Sequence, residues 1–157
     1  MGTSIASTLT RVHGLPRTSD VLLVVATGIL VVLTLGWLRH RNPNLRQEYM
    51  GPWGMVSMGL LALGGAWTGV TGYWSFQIAV FVLATPLAVV ACLWQLRRFS
   101  GAPTFLWGLG LVSPMVSATS GGQIHLAGVL PAGWSSVVWV ISVACFLLSL
   151  ATGIPLF

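Results

Sequence analysis

The chain has 157 residues, of which 6% are charged and 55% hydrophobic, with a mean hydropathy of +0.89 and a formal net charge of +5. Residues 49–157 carry only two formal charges, Arg97 and Arg98, where soluble domains average about a quarter charged residues. This composition excludes an ordinary water-soluble domain and makes lipid the solvent for most of the chain. The basic balance is not a nucleic-acid signature, because the arginines sit in short segments between apolar runs, the positive-inside pattern of membrane proteins. A lipid-exposed backbone must be satisfied internally, by helices or a closed barrel. The apolar runs are continuous rather than alternating, which selects an all-α membrane protein.

Met1–Thr10 is a small-residue stretch, too short to span, and reads as the end of a helix. It lacks a basic region followed by an apolar core, so no secretory signal is expected in it. Val21–Leu38 is a full span, closed by Arg39, His40 and Arg41 and followed by a polar loop with Arg46 and Glu48. Trp53–Val70 is the next span, and Gly72, Tyr73, Trp74 and Ser75 form a tight uncharged turn. Phe76–Leu96 follows, closed by Arg97 and Arg98. Phe105–Ser120 is a shorter and more polar span, Gly121–Gly133 a loop with Gln123, His125 and Pro131, and Val137–Leu156 the last span. At about 20 apolar residues per crossing, residues 1–157 read as a single transmembrane domain of about five spans plus the end of a first helix.

Arg39, Arg41 and Arg46 fall in one loop, and Arg97 and Arg98 fall two spans later, hence on the same side of the bilayer. That side is expected to be cytoplasmic, in an integral plasma (inner) membrane protein. The opposite side has Arg11 and Arg17, partly offset by Asp20.

Spans of unlike composition alternate, with a weak repeat of about fifty residues. One kind is rich in small residues: Gly54, Gly59, Gly64, Gly65 and Gly69 in one member, Gly108, Gly110, Ser113, Ser117 and Ser120 in the next. The other kind is Leu/Val/Ala-rich, with no glycine between Phe76 and Leu96. Small residues suit close helix approach or an open lumen, and bulky apolar residues suit lipid. The expected architecture is therefore a set of helical hairpins with small-residue inner helices and bulky outer ones.

Catalytic chemistry has little to stand on. The acidic residues are Asp20 and Glu48, both in loops, and there is no HExxH, CxxC or phosphate-binding glycine loop. His13, His40 and His125 read as loop residues, which argues against a haem held by intramembrane histidines. Cys92 and Cys145 fall inside apolar runs and read as packed thiols rather than a metal or disulfide pair. The reading is therefore no enzyme, no cofactor and no metal site.

Hydroxyls are the better candidates. Ser113, Ser117 and Ser120 share a helical face, as do Thr3 and Ser7. Uncharged donors suit a path for a polar or anionic solute, because conduction needs attraction weak enough for release. Interhelical hydrogen bonding explains the same residues equally well. Pro86 and Pro114 each remove a helix hydrogen bond and bend their spans, and Pro114 does so within the hydroxyl face. Gly59 and Gly64 join the pore-lining candidates from the preceding small-residue span. Arg39, Arg41, Arg46, Arg97 and Arg98 either attract anions to a mouth or set topology, and the two roles are compatible.

Met1–Ala6 (MGTSIA), Met50–Val56 (MGPWGMV), Phe105–Gly108 (FLWG) and Val112–Ala118 (VSPMVSA), in that order, resemble the tellurite-resistance/dicarboxylate transporter family, which includes the malic acid permeases and the slow anion channels. Ser4 stands where the family pattern has a second glycine. The resemblance implies a ten-helix bundle of five hairpins, odd helices lining a pore, even helices outside, and protomers forming a trimer. It implies transport of small anions: C4-dicarboxylates such as malate, sulfite, chloride, nitrate or tellurite-related species. On this pattern Met1–Thr10 corresponds to the end of helix one, Trp53–Val70 to helix three and Phe105–Ser120 to helix five. The chain then stops after helix six, so its partners would be the lipid bilayer, the anion, and further copies or a missing C-terminal half. The competing expectation is a non-transporting truncated paralogue or membrane assembly partner.

Overall fold

The computed structural model describes residues 2–40, 50–97 and 105–154. Among them the fold is all-helical, six helices and no strand: α1 (Gly2–Val12), α2 (Pro16–His40), α3 (Met50–Thr71), α4 (Trp74–Leu96), α5 (Phe105–Leu126) and α6 (Ala132–Gly153).

Local chemistry sets the connections. α1 ends at Gly14, whose φ of 76° is left-handed. The Leu15 amide donates to the Thr10 carbonyl at 2.9 Å and the Gly14 amide to that of Arg11 at 3.1 Å, the paired bonds of a Schellman terminus. Pro16 then opens α2, where its fixed φ and missing amide cost nothing. This start lies upstream of the expected Val21, because the apolar run marks the lipid-facing part of the helix and not its first turn. Between α3 and α4 only Gly72 and Tyr73 are non-helical. Gly72 has φ 75°, and the Thr68 hydroxyl donates to the Tyr73 carbonyl at 3.1 Å while the Thr71 hydroxyl accepts from the Tyr73 amide at 3.2 Å.

One expected loop is helix. Residues 121–126 continue α5 rather than opening a loop at Gly121. Gly121 and Gly122 do not break the helix because packing holds it on both sides of them: Gly121 is pressed against α4 and α6, and Ile124 is fully buried. His125 accordingly lies in the last turn of α5, and His40 is the last residue of α2, not a loop residue.

Helices adjacent in sequence pack together, α1 on α2, α3 on α4 and α5 on α6. α3 also lies beside both α1 and α5, and α4 beside α5. α3 is thus central and has an apolar cluster on either side. Leu61 joins Val80, Phe81, Ala84, Ile124 and Val138 on one. Leu63, Ala66 and Val70 join Leu23 and Ala26 of α2 on the other. Across the latter, the Trp67 indole donates to the Thr27 hydroxyl at 3.1 Å.

Among the described residues four helices are long and apolar enough to cross a membrane: Pro16–Gly36, Trp53–Thr71, Trp74–Leu96 and Ala132–Gly153. The peripheral two, α2 and α6, expose most of their apolar surface, including Val24, Val32, Leu33, Val140 and Leu147. Exposed apolar faces of that extent are far beyond what a water-soluble monomer carries and are satisfied by acyl chains. α5 is as long as α6, at 22 residues, but its serines and glycines make it less apolar. It lies against α3, α4 and α6.

Candidate functional site

Polar side chains gather where α3, α4 and α5 meet. Ser57 of α3 is fully buried, and its hydroxyl lies 3.2 Å from that of Ser113 on α5 and 2.9 Å from the Gly54 carbonyl. Ser113 in turn donates to the Ala88 carbonyl of α4 at 3.4 Å, and Ser117 to the Ser113 carbonyl at 3.4 Å. Further along, the Gln77 amide of α4 donates to the Ser120 hydroxyl at 3.3 Å and to the Gln123 side-chain carbonyl at 3.1 Å. The result is a seam of hydroxyls and amides running lengthwise between three helices. None of these side chains titrates near neutral pH, so the seam can exchange hydrogen bonds but not supply charge.

Glycines permit the close approach. A Cβ at Gly54 would come within 2.8 Å of the Leu109 carbonyl oxygen, and one at Gly121 within 2.7 Å of the Phe81 ring and onto the Ser142 hydroxyl. A Cβ at Gly64 would stand 3.4 Å from the Gln77 Cα of α4, in ordinary contact. Backbones brought together this way place carbonyls such as that of Ala88 within reach of serines on the next helix.

The seam's hydroxyls are unequally bonded. Several helix hydroxyls elsewhere make short bonds, Ser142 to Val138 at 2.7 Å, Ser149 to Leu111 at 2.8 Å and Ser7 to Ser4 at 2.8 Å, while Thr8 and Thr68 reach theirs at 3.3 and 3.2 Å. Ser113 and Ser117 reach their acceptors only at 3.4 Å, well beyond the preferred O–H···O distance of about 2.7–2.8 Å. Thr85, on the buried face of α4, has a hydroxyl with no partner at all. Pro114, also fully buried, adds to this deficit. It lacks the amide that would bond the Gly110 carbonyl.

The expected site residues separate into groups. Ser113, Pro114, Ser117 and Ser120 come together in the seam, with Gly64 packed on the α4 segment that carries Gln77. Ser113 and Ser117 are wholly enclosed by protein within the single chain, at 0% exposure. Gly59 is half-buried, with open space where a Cβ would stand. Thr3 and Ser7 lie apart on α1. Thr3 is half-buried, and Ser7 is buried and accepts a bond from Ser19 of α2 at 2.7 Å through its carbonyl. Arg39 and Arg97 are exposed near the C-terminal ends of α2 and α4. Arg41, Arg46 and Arg98 lie outside the described residues. Arg11 pairs with Asp20 at 3.8 Å on the surface near the α1–α2 turn.

Ser57, Gln77 and Gln123 belong to the seam but were not singled out as site residues by sequence reasoning. The available signal was a polar side chain inside an apolar helix, above all the amide of Gln77, since such residues in a span face protein rather than lipid. His125 makes a separate cluster at the end of α5. Its Nδ1 lies 2.8 Å from the Ser135 hydroxyl, and its ring stacks on Trp139 at 5.0 Å. Among the described residues no three His, Cys, Asp or Glu side chains group to hold a metal ion. Cys92 and Cys145 are buried free thiols. A groove of about 280 Å³ between α5 and α6, lined by Met115, Thr119, Trp139 and Phe146 among others, opens outward and away from the seam.

No family model matches the chain, and neither a curated protein nor a solved structure matches it.

Proposed function

We propose that the chain forms part or all of a path by which small anions cross the inner membrane, with the α3–α4–α5 seam as the polar lane and the arginine-bearing ends of α2 and α4 on the cytoplasmic side. The observation that carries this reading is the Ser113–Ser117–Ser120 face. Its hydroxyls lie inside a bundle whose neighbouring helices are apolar enough to span a bilayer, and two of them hold their acceptors weakly. Weakly held neutral donors offer an anion enough attraction to enter and too little to trap it. The motif resemblance to the tellurite-resistance/dicarboxylate transporters points the same way. In that reading the hairpins place α1, α3 and α5 inside, α2 and α6 face lipid, α4 gives its Gln77-bearing face to the lane and its other face to lipid, and further copies, a trimer on the family pattern, complete the enclosure.

Purified chain reconstituted in liposomes is expected to pass chloride, nitrate, sulfite or malate above the rate of empty vesicles. Flux equal to that of empty vesicles rules out activity for this chain alone.

A second reading has its own support. Ser113 and Ser117 are fully enclosed by their own chain, which suits a hydroxyl zipper that only locks α3, α4 and α5 together in a non-transporting assembly partner. Under that reading, removing the hydroxyls lowers stability and leaves flux untouched.

A further inference from the structure

We infer that the groove between α5 and α6 is a seat for one acyl chain of a membrane phospholipid, held there as an ordered lipid whether or not the seam conducts.

The groove lies at mid-membrane depth. Its α6 wall, from Trp139 to Phe146, is the middle third of the span Ala132–Gly153, and its α5 wall, from Met115 to Thr119, is the middle of Phe105–Leu126. A helix of 22 residues is about 33 Å long, close to the hydrocarbon thickness of about 30 Å. Headgroups and water do not reach its centre. The groove opens outward beside a helix that exposes Val140, Phe146 and Leu147. Its cover is therefore either hydrocarbon or a helix of a second copy.

Chemistry and size choose the hydrocarbon. The lining carries no charge. Two hydroxyls line the groove, and each is already donated within its own helix, Thr119 to the Met115 carbonyl at 3.1 Å and Ser142 to the Val138 carbonyl at 2.7 Å. No donor is left to recognise a polar guest. The groove has a volume of about 280 Å³, and its wall runs about 10 Å along α6. A helix with its side chains is about 10–12 Å across, so even a 10 Å length of one fills about 800 Å³. A second copy's helix cannot enter, whereas a single extended chain can.

The walls are held in place without the guest. The Trp139 ring is stacked on His125 at 5.0 Å, and the His125 Nδ1 lies 2.8 Å from the Ser135 hydroxyl. Ser142 is pinned against Gly121. One turn beyond Ala118 on the same face of α5, Gly122 leaves open space where a Cβ would stand, which lets a chain continue toward the end of the helix. A gap whose walls cannot collapse forfeits dispersion contacts until an outside chain fills it, and preformed walls lower the ordering cost of taking one up.

The test uses the full chain in vesicles of phosphatidylethanolamine and phosphatidylglycerol that contain a minor fraction of phospholipid with a diazirine midway along one acyl chain. After irradiation the labelled residues are mapped by mass spectrometry. Ala118→Phe and Val143→Trp fill the groove from its two walls, and Val140→Trp makes the same enlargement on the exposed face of α6 outside it. Val143 is itself exposed, so its variant folds even if the α5 variant does not. Labelling is expected to concentrate on Met115–Thr119 and Trp139–Phe146, above that of the more exposed Val24, Val32 and Leu33 of α2. It is expected to fall about tenfold or more in the filled variants, the effect of unseating two or more methylenes, and to persist in Val140→Trp. Even labelling of the α2 and α6 faces, or groove labelling unchanged by filling, overturns the seat. Groove residues left unlabelled while those of α2 react would also overturn it, in favour of a second copy covering this face.

Discussion

Ser57 and Ser113, 56 residues apart in sequence, place their hydroxyl oxygens 3.2 Å from each other in the interior of the bundle. The contact ties α3 to α5 directly, across the hairpin partner α4 that both helices also touch. A serine pair at this depth has no water to compete for it, yet such bonds average only about 0.6 kcal/mol in membrane proteins because unfolded helices also find partners. A double-mutant cycle of Ser57→Ala and Ser113→Ala, read by denaturant unfolding in detergent, is expected to give a coupling of about 0.5–1 kcal/mol. A coupling near zero would show that the two hydroxyls do not act on each other.

Gln77 makes two amide bonds to α5 at one end of the seam. Gln77→Leu removes both and leaves Ser120 and Gln123 to find other partners. The expected loss is about 1–2 kcal/mol of unfolding free energy. Gln77→Glu should be worse, because it places a carboxylate where the Gln123 carbonyl already presents an acceptor.

Gly121 and Gly122 are neighbours with opposite surroundings. A methyl group at Gly121 would collide with Ser142 and the Phe81 ring, while one at Gly122 meets nothing within 4 Å. Gly121→Ala is expected to destabilise by about 1–3 kcal/mol through overpacking. Gly122→Ala is expected to be neutral or to stabilise by up to about 1 kcal/mol, since alanine favours the helix. Thermal unfolding of the two variants side by side checks the α4–α5–α6 packing.

Single cysteines in a Cys92→Ala/Cys145→Ala background report topology. Positions 39 and 97 are expected to react with an impermeant maleimide from the cytoplasmic side. Positions 11 and 128, near the opposite ends of the helices, are expected to react from the other side only. Labelling of 39 and 97 from opposite faces would contradict the helix connectivity.

The native thiols give a complementary check. Cys92 and Cys145 are at 0% and 3% exposure. Both should resist a membrane-permeant maleimide in the folded protein and react fully once it is denatured. Rapid labelling of Cys92 in the native protein would mean that the α4–α6 contact through Thr152, at 3.9 Å, is open.

The helices were legible in the sequence because lipid demands long unbroken apolar runs, and Val21–Leu38 or Phe76–Leu96 admit no other reading. Their ends were less so. Pro16 begins α2 ahead of the apolar run, and α5 runs on to Leu126 through two glycines and Gln123. Those residues look like a loop by composition, but Gln123 is bonded to Gln77 and Ile124 is buried, and no local pattern reveals a partner 46 residues away. The Ser113–Ser117–Ser120 face could be seen from spacing alone. Gln77 could not be matched to it, because the register of α4 against α5 is set by where Gly121 and Gly110 let the helices touch.

The most direct measurement is anion efflux from liposomes containing the purified chain, compared with empty vesicles and with Ser113→Leu and Ser117→Leu. The expected result is chloride or nitrate flux in wild type that falls about tenfold or more in either leucine variant, equivalent to at least ~1.4 kcal/mol on the barrier. Robust wild-type flux left unchanged by both variants would contradict a path along this serine face.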